Sequence, residues 1–141
     1  MCMNVYLDID GVLLANELNA ANHVHEFLSL IKSRYPDSTY WLTTHVKGDP
    51  KTAIERLSKV FKPETMKLIQ DIQPTNWQIA KTEAIDFSQP FLWFDDDLFE
   101  DERKALIENK ALDNWIEVDL SKDENQLEKF IISFPLSTPV V

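Results

Sequence analysis

Short apolar segments alternate with segments of helical periodicity along most of this chain. Strands are predicted where the residues are apolar and rich in β-branched and aromatic side chains: NVYLDI, TYWLTT, PFLWFDDD and NWIEVDL. The segment MKLIQDI fits either a further strand or the end of a helix. Strand and helix therefore alternate about five times, which is typical of α/β proteins.

Helices are predicted where apolar residues recur at spacings of three and four: residues 20–35, GDPKTAIERLSKVF, PTNWQIAKTEAIDF, FEDERKALIENK and SKDENQLEKFIISF. Asp49 and Pro50 have the residue types typical of an N-cap and a first helical position. Ser121 and Glu124 predict a capping box at the start of the last helix. The acids of FEDERKALIENK precede its bases, as the helix dipole favours.

The alternation predicts a mostly parallel sheet of about five strands with helices on both faces, a three-layer α/β/α sandwich. With 141 residues, the chain is expected to form one domain over residues 1–141, with 135–141 as a loosely held tail. In such sheets, ligands bind beyond the carboxyl ends of the strands. Polar residues at those ends are therefore the candidates for chemistry.

Composition narrows the range of functions. The formal charge of -10 disfavours strong nucleic-acid binding through basic residues. The chain has two glycines, Gly11 and Gly48, too few for a glycine-rich phosphate loop. The single cysteine, the lack of a signal-peptide pattern and the lack of a long apolar run predict a cytoplasmic protein with no membrane partner.

Polar side chains interrupt or follow three of the predicted strands. The residues expected at one edge of the sheet are Asp8 and Asp10 at the end of NVYLDI, Thr43 and Thr44 at the end of TYWLTT, and Asp95, Asp96 and Asp97 at the end of PFLWFDDD. Lys81 precedes the last of these strands and is placed to reach the same edge. Several carboxylates close together need raised pKa values or a hard cation such as Mg²⁺, which also binds phosphate oxygens. The pattern therefore predicts phosphoryl transfer, with one aspartate as nucleophile and a neighbour handling the proton.

In this order, VYLDIDGVLL, YWLTT, Lys81 and FLWFDDD resemble the four motifs of the haloacid dehalogenase (HAD) superfamily. The resemblance covers Asn4 to about Asp97 and implies a Rossmann-like fold and Mg²⁺-dependent hydrolysis of phosphomonoesters. It implies that Asp8 is the nucleophile and that Asp10 is the general acid and then base. The presence of Asp10 favours phosphoryl transfer over dehalogenation, because dehalogenase members of the family lack this second acid.

The resemblance also assigns the remaining site residues. Thr43 would bind the transferring phosphoryl group and Lys81 would neutralise it, while Asp95 and Asp96 would hold the metal together with Asp8 and Asp10. Thr44 competes with Thr43 for its role, and the metal pair within Asp95, Asp96 and Asp97 stays open. Thr44 and His45 are candidates for contacting the substrate.

The spacing between motifs leaves no room for a full cap domain, so the site is expected to be open. In this family an open site goes with bulky substrates or with a lid from a partner subunit, which would make the protein a homodimer. The class of phosphorylated substrate is not indicated. Two alternatives are a fold member that binds metal or protein without catalysis and, less favoured by its motif order, a signalling receiver domain.

Overall fold

The computed structural model describes residues 3–44 and 49–137, with side chains as far as residue 133. The elements are β1 (Asn4–Leu7), α1 (Val24–Arg34), β2 (Thr39–Trp41), α2 (Lys51–Ser58), α3 (Pro63–Ile69), β3 (Phe91–Asp95), α4 (Glu100–Glu108), β4 (Trp115–Glu117) and α5 (Gln126–Ser137). The strands form one sheet in the order β2-β1-β3-β4, and every pairing is parallel. The predicted α/β class is therefore confirmed, and the sheet is compatible with a Rossmann-like fold.

Alternate residues of β1 contribute to two different apolar clusters, because successive strand residues point to opposite faces. Val5 and Leu7 belong to a cluster that includes residues of α1, α2, α3 and α5. Tyr6 belongs to a second cluster with Trp93 of β3 and Leu106 of α4. Both faces of the central strands are buried, as the nearly continuous apolar runs of β1 and β3 predict.

The prediction of about five strands is wrong, since the described residues form a four-stranded sheet. MKLIQDI is mostly helical, as the end of α3, and only Gln73 after it bridges to Tyr40 of β2. The amide of Trp41 donates to the Gln73 carbonyl at 2.8 Å, and the Gln73 amide donates to Thr39 at 3.1 Å. Pro74 follows at once, and because it has no N–H to donate, the pairing ends there.

The helix predicted for PTNWQIAKTEAIDF is also wrong, because only Lys81–Ala84 forms a single 3₁₀ turn. The carboxylate of Glu83 accepts hydrogen bonds from the amides of Gln78, Ile79 and Ala80, at 2.7–3.2 Å. Those amides cannot then serve a continuous helix. The segment instead forms a tight loop that ends at Lys81.

Several predicted helix starts shift toward the C-terminus, and α1 begins at Val24 rather than at residue 20. α2 begins at Lys51, after Pro50, and Asp49 accepts a hydrogen bond from the Lys51 amide at 3.0 Å. The capping box at Ser121 is wrong, because the Ser121 hydroxyl and amide both donate to Asp119 and α5 begins only at Gln126.

α5 continues to residue 137, so the first residues of the predicted tail are helical, and residues 138–141 lie outside the described part of the chain. No helix within the described ranges is both long and apolar enough to cross a membrane.

Candidate metal and phosphoryl site

The register of the two central strands brings Asp8 and Asp95 together. β1 and β3 are paired through Leu7 and Phe94, and the Asp8 amide continues the ladder by donating to the Phe94 carbonyl at 3.1 Å. The next residue of each strand is an aspartate, so the two carboxylates are neighbours at the carboxyl ends of the strands. Both are buried, with 6% of Asp8 and 1% of Asp95 exposed.

Lys81 supplies a buried positive charge to these two carboxylates. Its Nζ lies 2.6 Å from Asp95 Oδ2 and 3.5 Å from Asp8 Oδ2. The Lys81 backbone is fixed by Glu102, a buried residue of α4 whose carboxylate accepts from the Lys81 amide at 3.0 Å and from the Phe99 amide at 3.1 Å. The sequence prediction placed Lys81 at this edge, but it missed both Glu102 and the Glu83 loop that present it.

Asp96 completes a group of three carboxylates. One oxygen from each of Asp8, Asp95 and Asp96 lies within 4.8 Å of the others. Gly11 leaves room for the Asp96 side chain, because a Cβ at Gly11 would collide with the Asp96 carboxylate. Gly11 also has a φ of 79°, a left-handed conformation that glycine adopts without strain.

Asp95 is the most firmly held member of the group. Its two oxygens accept four hydrogen bonds, from Lys81 Nζ, from Trp93 Nε1 at 3.2 Å, and from the amides of Asp96 and Asp97 at 2.8 and 3.2 Å. A carboxylate offers about four acceptor positions, so those of Asp95 are filled. Asp97 lies outside the cluster, and its side chain accepts a hydrogen bond from the Leu98 amide.

The cluster holds more negative charge than Lys81 can balance. Burial and then the Asp8 carboxylate raise the pKa of Asp95 to about 9, although Lys81 opposes them. Burial also raises the pKa of Asp96. Burial alone would lower the pKa of Lys81, but Asp8 and Asp95 outweigh it, so this pKa is raised and the ammonium form is retained. The raised pKa values of Asp95 and Asp96 mean that the cluster binds a proton or another cation in addition to Lys81.

The donor set fits a hard divalent cation. It consists of carboxylate oxygens, which suit Mg²⁺ better than softer metals. Because Asp95 already accepts four hydrogen bonds, Asp8 and Asp96 are the carboxylates better placed to coordinate a metal directly. Asp95 would then orient Lys81 and the turn that carries Asp96.

Asp10 does not join the carboxylate group within 4.8 Å. It follows the end of β1, and its Oδ1 lies 2.7 Å from an Arg56 guanidinium nitrogen. The Asp10 side chain is about half exposed, while that of Arg56 is 27% exposed. Arg56 lies 46 residues further along the chain, in α2, and no motif in the sequence marks it as a site residue.

The threonines are placed differently from one another. Thr43 is fully buried just after β2, and Thr44 is exposed. His45, predicted to contact the substrate, lies outside the described residues. The structure thus brings Asp8, Lys81, Asp95 and Asp96 together and pairs Asp10 with Arg56.

Comparisons of the chain with protein-family models, with curated proteins and with solved structures found no match. The chemistry of the site is therefore inferred from its own residues.

Proposed function

We propose that this protein is a Mg²⁺-dependent phosphomonoester hydrolase of the HAD-like type that acts through an aspartyl-phosphate on Asp8. One observation carries the proposal: Asp8 shares the carboxyl edge of a parallel sheet with Asp95, Asp96 and the buried ammonium of Lys81. A nucleophilic carboxylate, a carboxylate cation site and a lysine are the groups that phosphoryl transfer needs in one place. The two apolar clusters on the faces of β1 support a three-layer arrangement for this fold.

In the proposed reaction, an Asp8 oxygen attacks phosphorus and the bond from phosphorus to the leaving oxygen breaks. The leaving oxygen takes a proton from Asp10, and Lys81 balances charge on the phosphoryl oxygens. Water then attacks the aspartyl-phosphate and gives its proton to Asp10, which releases phosphate and regenerates Asp8. Mg²⁺ held by Asp8 and Asp96 would offset the negative charge of the phosphoryl group. The Asp10 side chain must leave Arg56 to perform this role.

The pairing of Asp10 with Arg56 also supports a second candidate, a domain that binds Mg²⁺ without catalysis. A general acid held by a guanidinium is not poised to protonate a leaving group. The hydrolase predicts turnover of a phosphate ester and the non-catalytic domain does not, whereas both predict Mg²⁺ binding.

The deciding experiment is hydrolysis of an aryl phosphate by the wild-type protein with Mg²⁺ and with EDTA, alongside calorimetric titration with Mg²⁺. Hydrolysis that requires Mg²⁺ is the expected result. Mg²⁺ binding without any turnover would favour the non-catalytic domain. Neither binding nor turnover would contradict both candidates.

Mg²⁺ affinity is expected to rise between pH 6 and pH 9. The pKa of Asp95, raised to about 9, means that the metal-free cluster holds a proton at pH 6, which Mg²⁺ must displace. Displacing one proton changes the affinity by up to about tenfold per pH unit below that pKa. The stability of the metal-free fold changes in the opposite direction: because the folded-state pKa of Asp95 lies above the unfolded value of about 3.9, the metal-free fold loses stability as pH rises toward 9.

Thermal melting at pH 6.0 and pH 8.5 checks this prediction. The increase in Tm caused by Mg²⁺ should be larger at pH 8.5, with sodium chloride of equal ionic strength as the control. Equal increments at the two pH values would show that no proton is displaced.

A further inference from the structure

A groove leads away from the carboxylate cluster. A cavity of about 260 Å³ is lined in part by Gly11, Asp96 and Asp119, and a second of about 450 Å³ is lined in part by Asn16, Asn19 and Asn22. The two cavities share Ala15, Leu120 and Ser121, so they adjoin each other along these residues, and together they are called here the amide groove. Together they reach the size range of small-molecule sites.

The inner end of the amide groove is the cluster itself. Asp96 belongs both to the carboxylate group and to the groove wall, and Gly11 lies directly against it. A phosphoryl group bound at Asp8 and Asp96 would therefore have the groove open beside it. The part of a substrate that remains after phosphate transfer has a place to lie there.

The outer end offers neutral hydrogen-bonding groups. The Asn16 carbonyl oxygen accepts from the Leu18 amide at 2.9 Å and from Asn19 Nδ2 at 3.0 Å. Asn22 donates to Asn125 at 3.0 Å. These bonds fix the three amides, and within the described chain they leave the Asn16 NH₂ group and the Asn19 and Asn22 carbonyl oxygens available. Side-chain amides provide donors and acceptors together, which matches the hydroxyl group.

The charged side chains of the groove have one sign. Among the described residues that line it, these are Asp96, Asp119 and Glu124, and none is Lys, Arg or His. A second phosphate or a carboxylate on the ligand would meet these three acidic side chains, and among them Asp119 has a mostly exposed basic neighbour, with Lys122 Nζ 3.6 Å from Asp119 Oδ2. A neutral, hydroxyl-rich group would meet the amides without that repulsion.

We propose that the amide groove binds the leaving group of the substrate and that this group is a neutral polyol, as in a sugar monophosphate. The inference rests on the proposed phosphatase function, but its binding part can be tested without turnover. It also fits the overall charge of -10, which already disfavours polyanionic substrates.

The test compares a hexose monophosphate, a hexose bisphosphate and an aryl phosphate as substrates in the presence of Mg²⁺. Three variants accompany the wild type: Ala15→Phe blocks the junction of the two cavities, Asn19→Leu removes one amide, and Ser133→Phe is an exposed control on α5. We expect kcat/KM to favour the monophosphate over the bisphosphate by about tenfold or more. Ala15→Phe and Asn19→Leu should lower kcat/KM for the hexose monophosphate relative to that for the aryl phosphate, and Ser133→Phe should leave this ratio unchanged.

Binding is measured in parallel by calorimetry with the non-hydrolysable phosphonate analogues of the two sugar phosphates. If aryl phosphate is hydrolysed but neither groove variant changes any preference, the amide groove is overturned and the phosphatase function stands. A different result would be that the monophosphonate binds, that the groove variants weaken this binding, and that no phosphate ester is hydrolysed. In that case the amide groove stands and the phosphatase function is overturned. Equal binding of the two analogues would contradict the charge selectivity.

Discussion

Asp8→Asn is expected to abolish Mg²⁺-dependent hydrolysis while leaving the fold intact. An amide cannot attack phosphorus as a carboxylate does, and loss of a covalent nucleophile lowers kcat by about 10³-fold or more in enzymes. The asparagine can keep the hydrogen bond that Asp8 Oδ1 accepts from the Ile9 amide at 2.8 Å. Removing one charge from the crowded cluster also relieves repulsion, so Tm without metal should not fall.

Asp97→Asn is the matched control, because it makes the same chemical change two residues beyond Asp95 and outside the carboxylate group. Its kcat/KM should stay within about twofold of the wild type, as surface substitutions usually do. Both variants are assayed with an aryl phosphate at saturating Mg²⁺, and their folding is checked by thermal melting. Activity that persists in Asp8→Asn would contradict the covalent mechanism.

The parts of the fold that follow from local patterns could be predicted from the sequence. β1 and β3 are runs of apolar residues buried on both faces, and acids appear only where each run ends. Parallel pairing then requires Asp8 and Asp95 to meet, because both follow paired residues of adjacent strands. The meeting of Asp8 with the acids after β3 could be predicted for this reason, but the sequence left open which pair of Asp95, Asp96 and Asp97 completes the group.

The parts that depend on distant contacts could not be predicted in the same way. Lys81 was placed at the right edge, but from a helix that does not form. Its position depends on the carboxylates of Glu83 and Glu102, which capture backbone amides in the folded chain. In the sequence they are two acids among 24. The contact of Arg56 with Asp10 is likewise not indicated by any local sequence pattern, since it forms only when α2 packs near the end of β1 in the folded chain.

The prediction of a further strand at MKLIQDI is wrong for a different reason. MKLIQDI is apolar and short, and such runs fit a helix end as well as a strand. A helix of seven residues occupies most of it, and Pro74 limits the pairing of Gln73 to one bridge. Pro74 argues against a strand at this position, because proline has no N–H and cannot continue the ladder of hydrogen bonds after Gln73.

Lys81→Gln is expected to destabilise the protein strongly, because it removes the positive charge from two buried carboxylates. Breaking a buried ion pair from one side costs about 3–5 kcal/mol in the free energy of unfolding. The loss should be larger at pH 8.5 than at pH 6, since at pH 6 the cluster of the variant can take up a further proton in place of the ammonium, beyond the one that Asp95 already holds. Mg²⁺ should restore more stability to the variant than to the wild type, because it supplies the missing positive charge.

Lys129→Gln is the matched control, because it makes the same substitution in an ion pair of the same length. Lys129 Nζ lies 2.6 Å from Asp123 Oδ2, as Lys81 Nζ does from Asp95 Oδ2, but the Lys129 side chain is 71% exposed while that of Lys81 is 11% exposed. Water screens the exposed pair, so its loss should leave the free energy of unfolding nearly unchanged. Urea unfolding of both variants with and without Mg²⁺ measures the difference. Equal losses would mean that water screens the Lys81 pair as well, and the charge imbalance that makes this cluster a cation site would then be absent.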